Sequence, residues 1–452
     1  MLYKLNWKLP VYIEHRVAEI IAQQERNGWD FDKEKAIEYV NWLNSEQQEC
    51  ESTIEEDLHP IPVLKNRVNK PFKQNGELSA AGKRYDDLPI SGPFTGIEWK
   101  SIDVGSRKKL SEQLIRRGWE PSSYTEKGSP QLTVKGKPCP NLEEFDSRLG
   151  KAVAHWFNCN HRKGVIGGWI NHTHDDGRIY YSVNPCGTNT RRMRHSLVVN
   201  VPKAEEKVFF GQEMRSLFTV RDPYVLIGND IKGLENRIIA HYMIMLANAH
   251  EEVEALIDPD RDFHTDFWGA IDDFIDSRSN AKNVEYAYFF GAQDPKLGSM
   301  ADRIPRYLKG ASLERVGAEI RKKIGNRFPS LAQVLAYVDH HVDRYGFLMT
   351  PDGGKIYPRG KHSAFNTLIQ GTGSVVHKVS VCFLDTWLKR YQLDSAFVGN
   401  FHDETQSRVH NNHVEQYREL SEESVVQSGR FLQLKVPMSG ESKVGTNWAM
   451  TH

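Results

Sequence analysis

Residues Tyr224–Met243, YVLIGNDIKGLENRIIAHYM, begin with an apolar run that Gly228 and Asn229 end. A short run of this kind, bounded by turn residues, marks a buried strand. Beyond Gly233, the residues Leu234, Ile238, Ile239 and Tyr242 recur at helical spacing. The chain must therefore turn from a buried strand into a helix, with the carboxylate of Asp230 at the junction and Glu235 and Arg237 in the first helical turns. A rigid strand end is a good place to hold a metal-binding carboxylate, because the backbone beneath it cannot drift. Taken alone, Asp230 reads more readily as a turn or N-cap residue. The rest of the chain changes that balance.

A chain of 452 residues is too long for one compact core, and two or three subdomains are expected. No apolar run approaches membrane-spanning length, and the start, MLYKLNWKLP, lacks a signal-peptide core. Its 5 cysteines, Cys50, Cys139, Cys159, Cys186 and Cys382, are scattered without a CxxC pair, which argues for reduced thiols in a cytoplasmic compartment. Lys+Arg and Asp+Glu each number 59. This zero balance neither supports nor excludes a nucleic-acid partner, since a basic groove and an acidic metal site cancel in the total.

From Tyr12 to about Glu56 the pattern is of long charged amphipathic helices, with a break and restart at Asp30–Lys35. Pro60 to Gly96 is rich in proline and glycine, carries Lys65, Arg67, Lys70, Lys73, Lys83 and Arg84, and shows no helical period. It reads equally as a solvated insertion and as a basic arm. Ser106 and Arg107 open another helix, where a hydroxyl and a cation are well placed for phosphate oxygens, although a solvated helix end is also common. Ile179–Val183 reads as a strand, followed by a basic segment with Thr190, Arg191, Arg192, Arg194 and His195.

In Arg278–Gly291, Arg278, Lys282, Tyr286 and Phe290 repeat every fourth residue and stay largely on one side of a helix. Two cations followed by two aromatics suit a surface meeting phosphate at one end and a base at the other. On its own the helix would read as aromatic core with snorkelling basic stems. Gly346–Pro358 reads as two short strands around an Asp-Gly-Gly turn, and His362–Leu388 as a long apolar helix. Ser395–Val409 alternates like a hairpin with His402-Asp403-Glu404 at its turn.

The pattern D-x-x-G-L-E-x-R-x-x-A-H at Asp230 resembles the first palm motif of family A (DNA polymerase I type) DNA polymerases, in particular the replicative enzymes of T-seven-like phages. Arg278–Gly291 resembles their fingers motif R-x-x-x-K-x-x-x-[FY]-x-x-x-Y-G, and His402-Asp403-Glu404 their last palm motif. MRSLF at Met214–Phe218, the DRDFHT segment before the fingers helix and the terminal GTNWAMTH have counterparts too. The fold implied is α/β (α+β), a right-hand polymerase: a thumb-like region at 1–160 with the basic insertion at about 58–100, an antiparallel-sheet palm at 161–245 and 362–452, and helical fingers at 246–361. Four positions depart from the pattern. Arg191 stands where a glycine is usual, Phe290 replaces a tyrosine, and Gly354-Lys355 replace paired arginines.

The resemblance implies template-dependent addition of deoxynucleotides to a primer 3′ end by two-metal nucleotidyl transfer. Asp230, Asp403 and the Ile231 carbonyl would hold two Mg2+, for which Mn2+ substitutes, with Glu404 as a supporting carboxylate. Arg278, Lys282 and His264 would face the triphosphate, Lys282 also serving as proton donor to pyrophosphate. Tyr286 and Phe290 would lie at the incoming nucleotide, and Glu235 beneath C2′ would exclude a ribose hydroxyl. Arg192, Ser106, Arg107, Arg237, Asn366, Gln370 and His402 would contact primer–template DNA. A processivity factor and a separate exonuclease or helicase are further implied partners. The segment matching the thioredoxin-docking insertion is distinctly shorter here, which speaks against a thioredoxin partner. Only about ten residues precede the thumb-like EHR block, so no 3′–5′ exonuclease is expected in this chain, and the setting implied is the cytoplasm of an infected host cell. Glu235 counts against a single-subunit RNA polymerase. The Arg278–Phe290 stripe counts against a two-metal nuclease, and retention of Asp230, Asp403 and Lys282 against an inactive DNA-binding module.

Overall fold

The computed structural model describes residues 7–134, 136–257 and 263–452. Asp260–Asp262 of the DRDFHT segment lie outside the described residues. The chain divides into two compact units, one of Met1–Lys33 with His172–His452 and the other of Glu34–Asn171.

The larger unit is built on a four-stranded antiparallel sheet, in the order Ser395–Phe401, Glu404–His410, Tyr224–Ile231, Gly440–Gly445. Tyr224–Ile231 is thus an interior strand, and Leu226 and Ile227, which point to opposite faces, are both fully buried. That is why its sequence shows a continuous apolar run without alternation. Ile227, Val409 and Phe397 pack with Ile20, Val381, Leu384, Leu388 and Tyr417 from the helices Lys8–Asn27, Ala364–Arg390 and Val414–Phe431. Gly228 is required by close approach: a Cβ there would collide with the Thr451 carbonyl and the Gln406 side chain.

A smaller sheet, Arg178–Ile179, Trp29–Phe31, Phe218–Thr219, abuts this one. Its buried Trp29 ring lies 5.0 Å from Phe218 and 5.2 Å from Trp448. The expected strand Ile179–Val183 is in fact two short ones, because Val183–Asn184 leaves to pair with Arg194–His195. After the helix Leu234–Ala247 come Phe263–Ile271, Arg278–Phe289, Leu313–Arg327 and Pro329–Tyr345, then the small hairpin Leu348–Met349/Lys355–Ile356.

In the smaller unit, Lys33–Asp57 and Leu149–Asn171 run antiparallel. Lys163 donates to Asn44 and Trp156 to Glu51. Leu110, Leu114, Trp119 and Leu142 complete that core. The stretch after Pro60 is not wholly irregular: Ile61–Val68 pairs with Phe94–Lys100. Most side chains of this ribbon are exposed, Leu64 and Trp99 included, so it has no buried face to impose the alternation by which a strand is read.

No helix of the described residues is long and apolar enough to cross a membrane.

Candidate active site

Phe401 and Glu404 are the last paired residues of their hairpin, leaving His402-Asp403 as a two-residue turn. His402 has φ 55. A positive φ at the first central position is what the II′ turn needs to match strand twist. A non-glycine residue there costs roughly 1–2 kcal/mol, a strain of the kind that gathers at functional sites. On the neighbouring strand Asp230 stands in register with Glu404, and the Ile231 N–H donates to the Asp403 carbonyl at 3.3 Å. Two aspartates remote in sequence are thereby brought to one end of the sheet.

Their electrostatics differ from that of Glu404. Burial, then the nearby charges of Asp403 and Glu404, push Asp230 up to about 7. Burial also raises Asp403, against the opposing pull of His402 and Arg192. Glu404 is buried as well, but contacts from His452, Arg215 and Trp448 outweigh that burial and hold it below the usual carboxylate range. Trp448 Nε1 donates to its Oε1 at 2.6 Å, and His452 Nδ1 lies 2.7 Å from Oε2. Arg215 lies 3.9 Å from the same oxygen and 4.2 Å over the Trp448 ring. Glu404 is therefore an anchored carboxylate, whereas Asp230 and Asp403 are held beside each other with too little positive charge around them.

Arg192 and Glu235 flank the aspartates, 3.8 Å apart. Burial lowers Arg192 while Glu235 and Asp403 support its charge, and burial raises Glu235. Burial, followed by Glu235, raises the Tyr286 phenol, which links the helix Arg278–Phe289 to this cluster. On that helix the expected stripe is present: the Tyr286 and Phe290 rings stack at 5.9 Å, and Lys282 Nζ lies 5.9 Å from the Tyr286 ring. Arg278 opens the helix, whose N-cap Ser277 accepts from the Asn280 N–H. His264, from the adjoining helix Phe263–Ile271, has its ring 6.2 Å from Tyr286.

The remaining positions are more dispersed. Asn366 and Gln370 lie a turn apart on Ala364–Arg390, and Asn366 Oδ1 is buried without a hydrogen-bond partner among the described residues. Arg237 donates to the carbonyls of Lys232 and Pro437, at 2.9 and 2.6 Å, so it braces the loops beside the sheet. Ser106 and Arg107 belong to the smaller unit, where Ser106 is the N-cap residue of Arg107–Arg116 and Arg107 donates to Thr133.

A family model for DNA polymerase family A matches residues 94–450. The chain belongs to DNA polymerase family A. This polymerase is a DNA-directed DNA polymerase with a right-hand α+β fold. It is 26% identical to the DNA-directed DNA polymerase of Escherichia phage T7, over 98% of this chain and 70% of that protein. The counterpart in Enterobacteria phage T3 is 25% identical, with the same shares covered. A solved structure, the POL domain of Pol1 from M. smegmatis in complex with DNA primer-template and dNTP, matches with a TM-score of 0.74 at 19% identity, over 97% of this chain and 70% of that one.

Nucleotidyl transfer in this family depends on divalent metal. The donors at hand fit such an ion: two neighbouring carboxylates, Asp230 reaching solvent and Asp403 half-buried, whose ionisation their surroundings oppose, gain from a cation between them. Among the described residues no group of three or more His, Cys, Asp or Glu forms a metal cage.

Sequence reasoning missed the anchors of Glu404. Trp448 and His452 lie in a terminal motif it noticed without assigning a role, and Arg215 in the MRSLF segment. It also passed over Glu285, although a carboxylate in line with the buried Ala281, Val284 and Tyr288 was a readable anomaly.

Proposed function

We propose that the polymerase extends a primer on a DNA template with deoxynucleoside triphosphates by two-metal nucleotidyl transfer, in phage replication within the infected host's cytoplasm. What carries this reading is the meeting of Asp230 and Asp403 at one end of the sheet, with the Tyr286 phenol coupled to it through Glu235.

Asp230, Asp403 and the Ile231 carbonyl would hold a pair of Mg2+ ions, or Mn2+ in their place. The ions, when bound, lower the pKa of the primer 3′-hydroxyl and offset charge on phosphorus and pyrophosphate. Glu404 supports the turn that carries Asp403. Lys282 and Arg278 bind the triphosphate, and Lys282 gives a proton to the leaving pyrophosphate. His264 faces the triphosphate from the neighbouring helix. Tyr286 and Phe290 stack beneath the incoming nucleotide, and Glu235 excludes a 2′-hydroxyl. Arg192, His402 and Arg237 orient the primer strand. Asn366 and Gln370 read the minor-groove acceptors common to all base pairs, which checks pairing geometry without selecting sequence. Ser106 and Arg107 contact duplex phosphates from the thumb, to which the unit Glu34–Asn171 largely corresponds, while the sheet forms the palm and the helices after Leu234–Ala247 the fingers. A processivity factor, for which a thioredoxin is disfavoured by the short thumb insertion, and an exonuclease or helicase would be further partners.

Primer extension on a defined template, with deoxy- and ribonucleotides compared, tests the reading. Extension with deoxynucleotides that vanishes in Asp230→Ala and Asp403→Ala is the expected result. Extension that survives either substitution refutes it.

A further inference from the structure

Arg191 and Arg192 are neighbours in the chain whose guanidinium groups serve different places. Arg192 lies 3.8 Å from Glu235, and the Asp403 carboxylate supports its charge as well. Arg191 enters a buried group instead. Its Nη1 donates to Thr350 Oγ1 at 3.1 Å and pairs with Asp352 at 2.9 Å, while Nε and Nη2 donate to Glu14 Oε1 at 2.9 and 2.7 Å. Glu14 belongs to the helix Lys8–Asn27, and Thr350 and Asp352 to the turn of the hairpin Leu348–Met349/Lys355–Ile356. A guanidinium engaged through three nitrogens by two carboxylates and a hydroxyl has one fixed position.

The peptide joining the two arginines is held as well. The Arg191 carbonyl accepts from Ser374 Oγ at 2.8 Å, and the Arg192 N–H donates to Thr188 Oγ1 at 2.9 Å. Ser374 lies on the helix Ala364–Arg390, where Lys378, one turn further, donates to Glu14 at 2.6 Å. Arg191 itself has a φ of 60, a left-handed conformation that a non-glycine residue keeps only where its surroundings hold it. We propose that Arg191 is a positioning residue: its buried ion pairs hold the Thr188–Arg192 turn so that the Arg192 guanidinium stays beside Glu235 and meets the primer strand. The proposal rests on the assignment of Arg192 to the primer. It accounts for a strained cation at a position where glycine is usual. Glycine would suit the φ but would leave the turn without its ties to Glu14 and Asp352.

The test is a double-mutant cycle of Arg191→Lys and Arg192→Ala, read as primer–template affinity by fluorescence anisotropy and as thermal melting. Lysine keeps the charge, but an ammonium cannot reproduce the planar fork that ties two carboxylates. Arg191→Lys should weaken primer–template binding about tenfold, as a small misplacement of a contact group does. In the Arg192→Ala background it should weaken binding no further, because a residue acting through another is silent once that one is gone. Its lowering of the melting temperature should be the same in both backgrounds, so stability and affinity part company. Equal weakening of binding in both backgrounds would overturn the proposal and leave Arg191 as a structural ion pair. Unchanged binding by Arg191→Lys would overturn it outright, and unchanged binding by Arg192→Ala would overturn it at its premise. If Arg191→Lys does not fold, Glu14→Gln takes its place in the cycle with the same outcomes, and the melts identify that case.

Discussion

Ile231 and Asp403 are joined backbone to backbone, the N–H of one donating to the carbonyl of the other at 3.3 Å. The two aspartates proposed to hold the metal are thus placed by the ladder of an interior strand and not by side-chain packing. Asp230→Ala and Asp403→Ala should each cut primer extension by about three orders of magnitude or more, equivalent to about 4 kcal/mol of transition-state stabilisation. Because neither side chain holds the fold, neither substitution should lower the melting temperature or the primer–template affinity. Extension assays and gel-shift titration separate the two effects.

The raised Asp230 makes the metal-free enzyme pH-sensitive in a definite direction. Its folded pKa of about 7 stands above its ordinary value of 3.8, so between those values the folded state binds more protons than the unfolded one. Stability should therefore fall as pH rises from about 4 to about 7 and stay lowered above that. In EDTA at pH 8, Asp230→Asn should be more stable than the unsubstituted enzyme, by no more than about 1 kcal/mol because solvent screens the exposed carboxylate, with the gain absent below pH 4. Added Mg2+ should narrow that difference. Chemical-denaturation midpoints across pH, with and without the metal, provide the check.

Glu404 behaves in the opposite sense because its oxygens are occupied. Trp448→Phe removes the donor to Oε1 while keeping an aromatic, though smaller, ring against Trp29 and beneath Arg215. A buried carboxylate that loses one donor should cost about 1–3 kcal/mol. The loss should appear in thermal melts, and with it a drop in extension rate at unchanged dNTP KM, since the turn bearing Asp403 is loosened but the triphosphate contacts are not.

Sugar selection separates two residues of the cluster. Glu235→Ala should raise ribonucleotide incorporation relative to deoxynucleotide by about one to three orders of magnitude in kcat/KM, as expected when a blocking side chain is removed. The resemblance implies that Tyr286, standing where others carry phenylalanine, lets dideoxynucleotides be accepted readily, so Tyr286→Phe should instead lower dideoxynucleotide incorporation and leave ribonucleotide exclusion intact. Competition assays with each sugar resolve the two effects, and equal responses in both variants would be inconsistent with distinct roles.

The family, the strand that ends at Asp230 and the hairpin that carries Asp403 were legible in the sequence because each has a local signature, and their pairing was implied only by the resemblance. An apolar run ends in a carboxylate, an acidic dipeptide interrupts an alternating hairpin, and cations and aromatics repeat every fourth residue. What could not be read are relations between distant segments. Nothing near Glu404 announces Trp448, His452 and Arg215. The ribbon Ile61–Val68/Phe94–Lys100 escaped notice because exposed strands lack the buried face that imposes alternation.

Arg191 was legible only as an oddity, a bulky residue where glycine is usual, and the structure supplies its reason. Its backbone does have the left-handed φ of 60 that favours glycine. Its guanidinium reaches over Gly354, where a Cβ would collide with it, and pairs with Asp352 at 2.9 Å and Glu14 at 2.7 Å. Lys378 completes the group by donating to Glu14 at 2.6 Å, and the Asp352 and Lys378 side chains are fully buried. Two cations and two anions balance here, so the cation at 191 does for Asp352 what a cation at 354 would otherwise do. Arg191→Gly should relieve the backbone but strand Asp352, for a net loss of about 2–4 kcal/mol. Gly354→Arg alone should also destabilise, through collision and excess charge. The double variant Arg191→Gly/Gly354→Arg returns one cation to Asp352 and places glycine at the left-handed position, so it should be more stable than either single variant. Denaturation midpoints of the four proteins measure that coupling, and simple additivity of the two losses would show that the residues do not share one site.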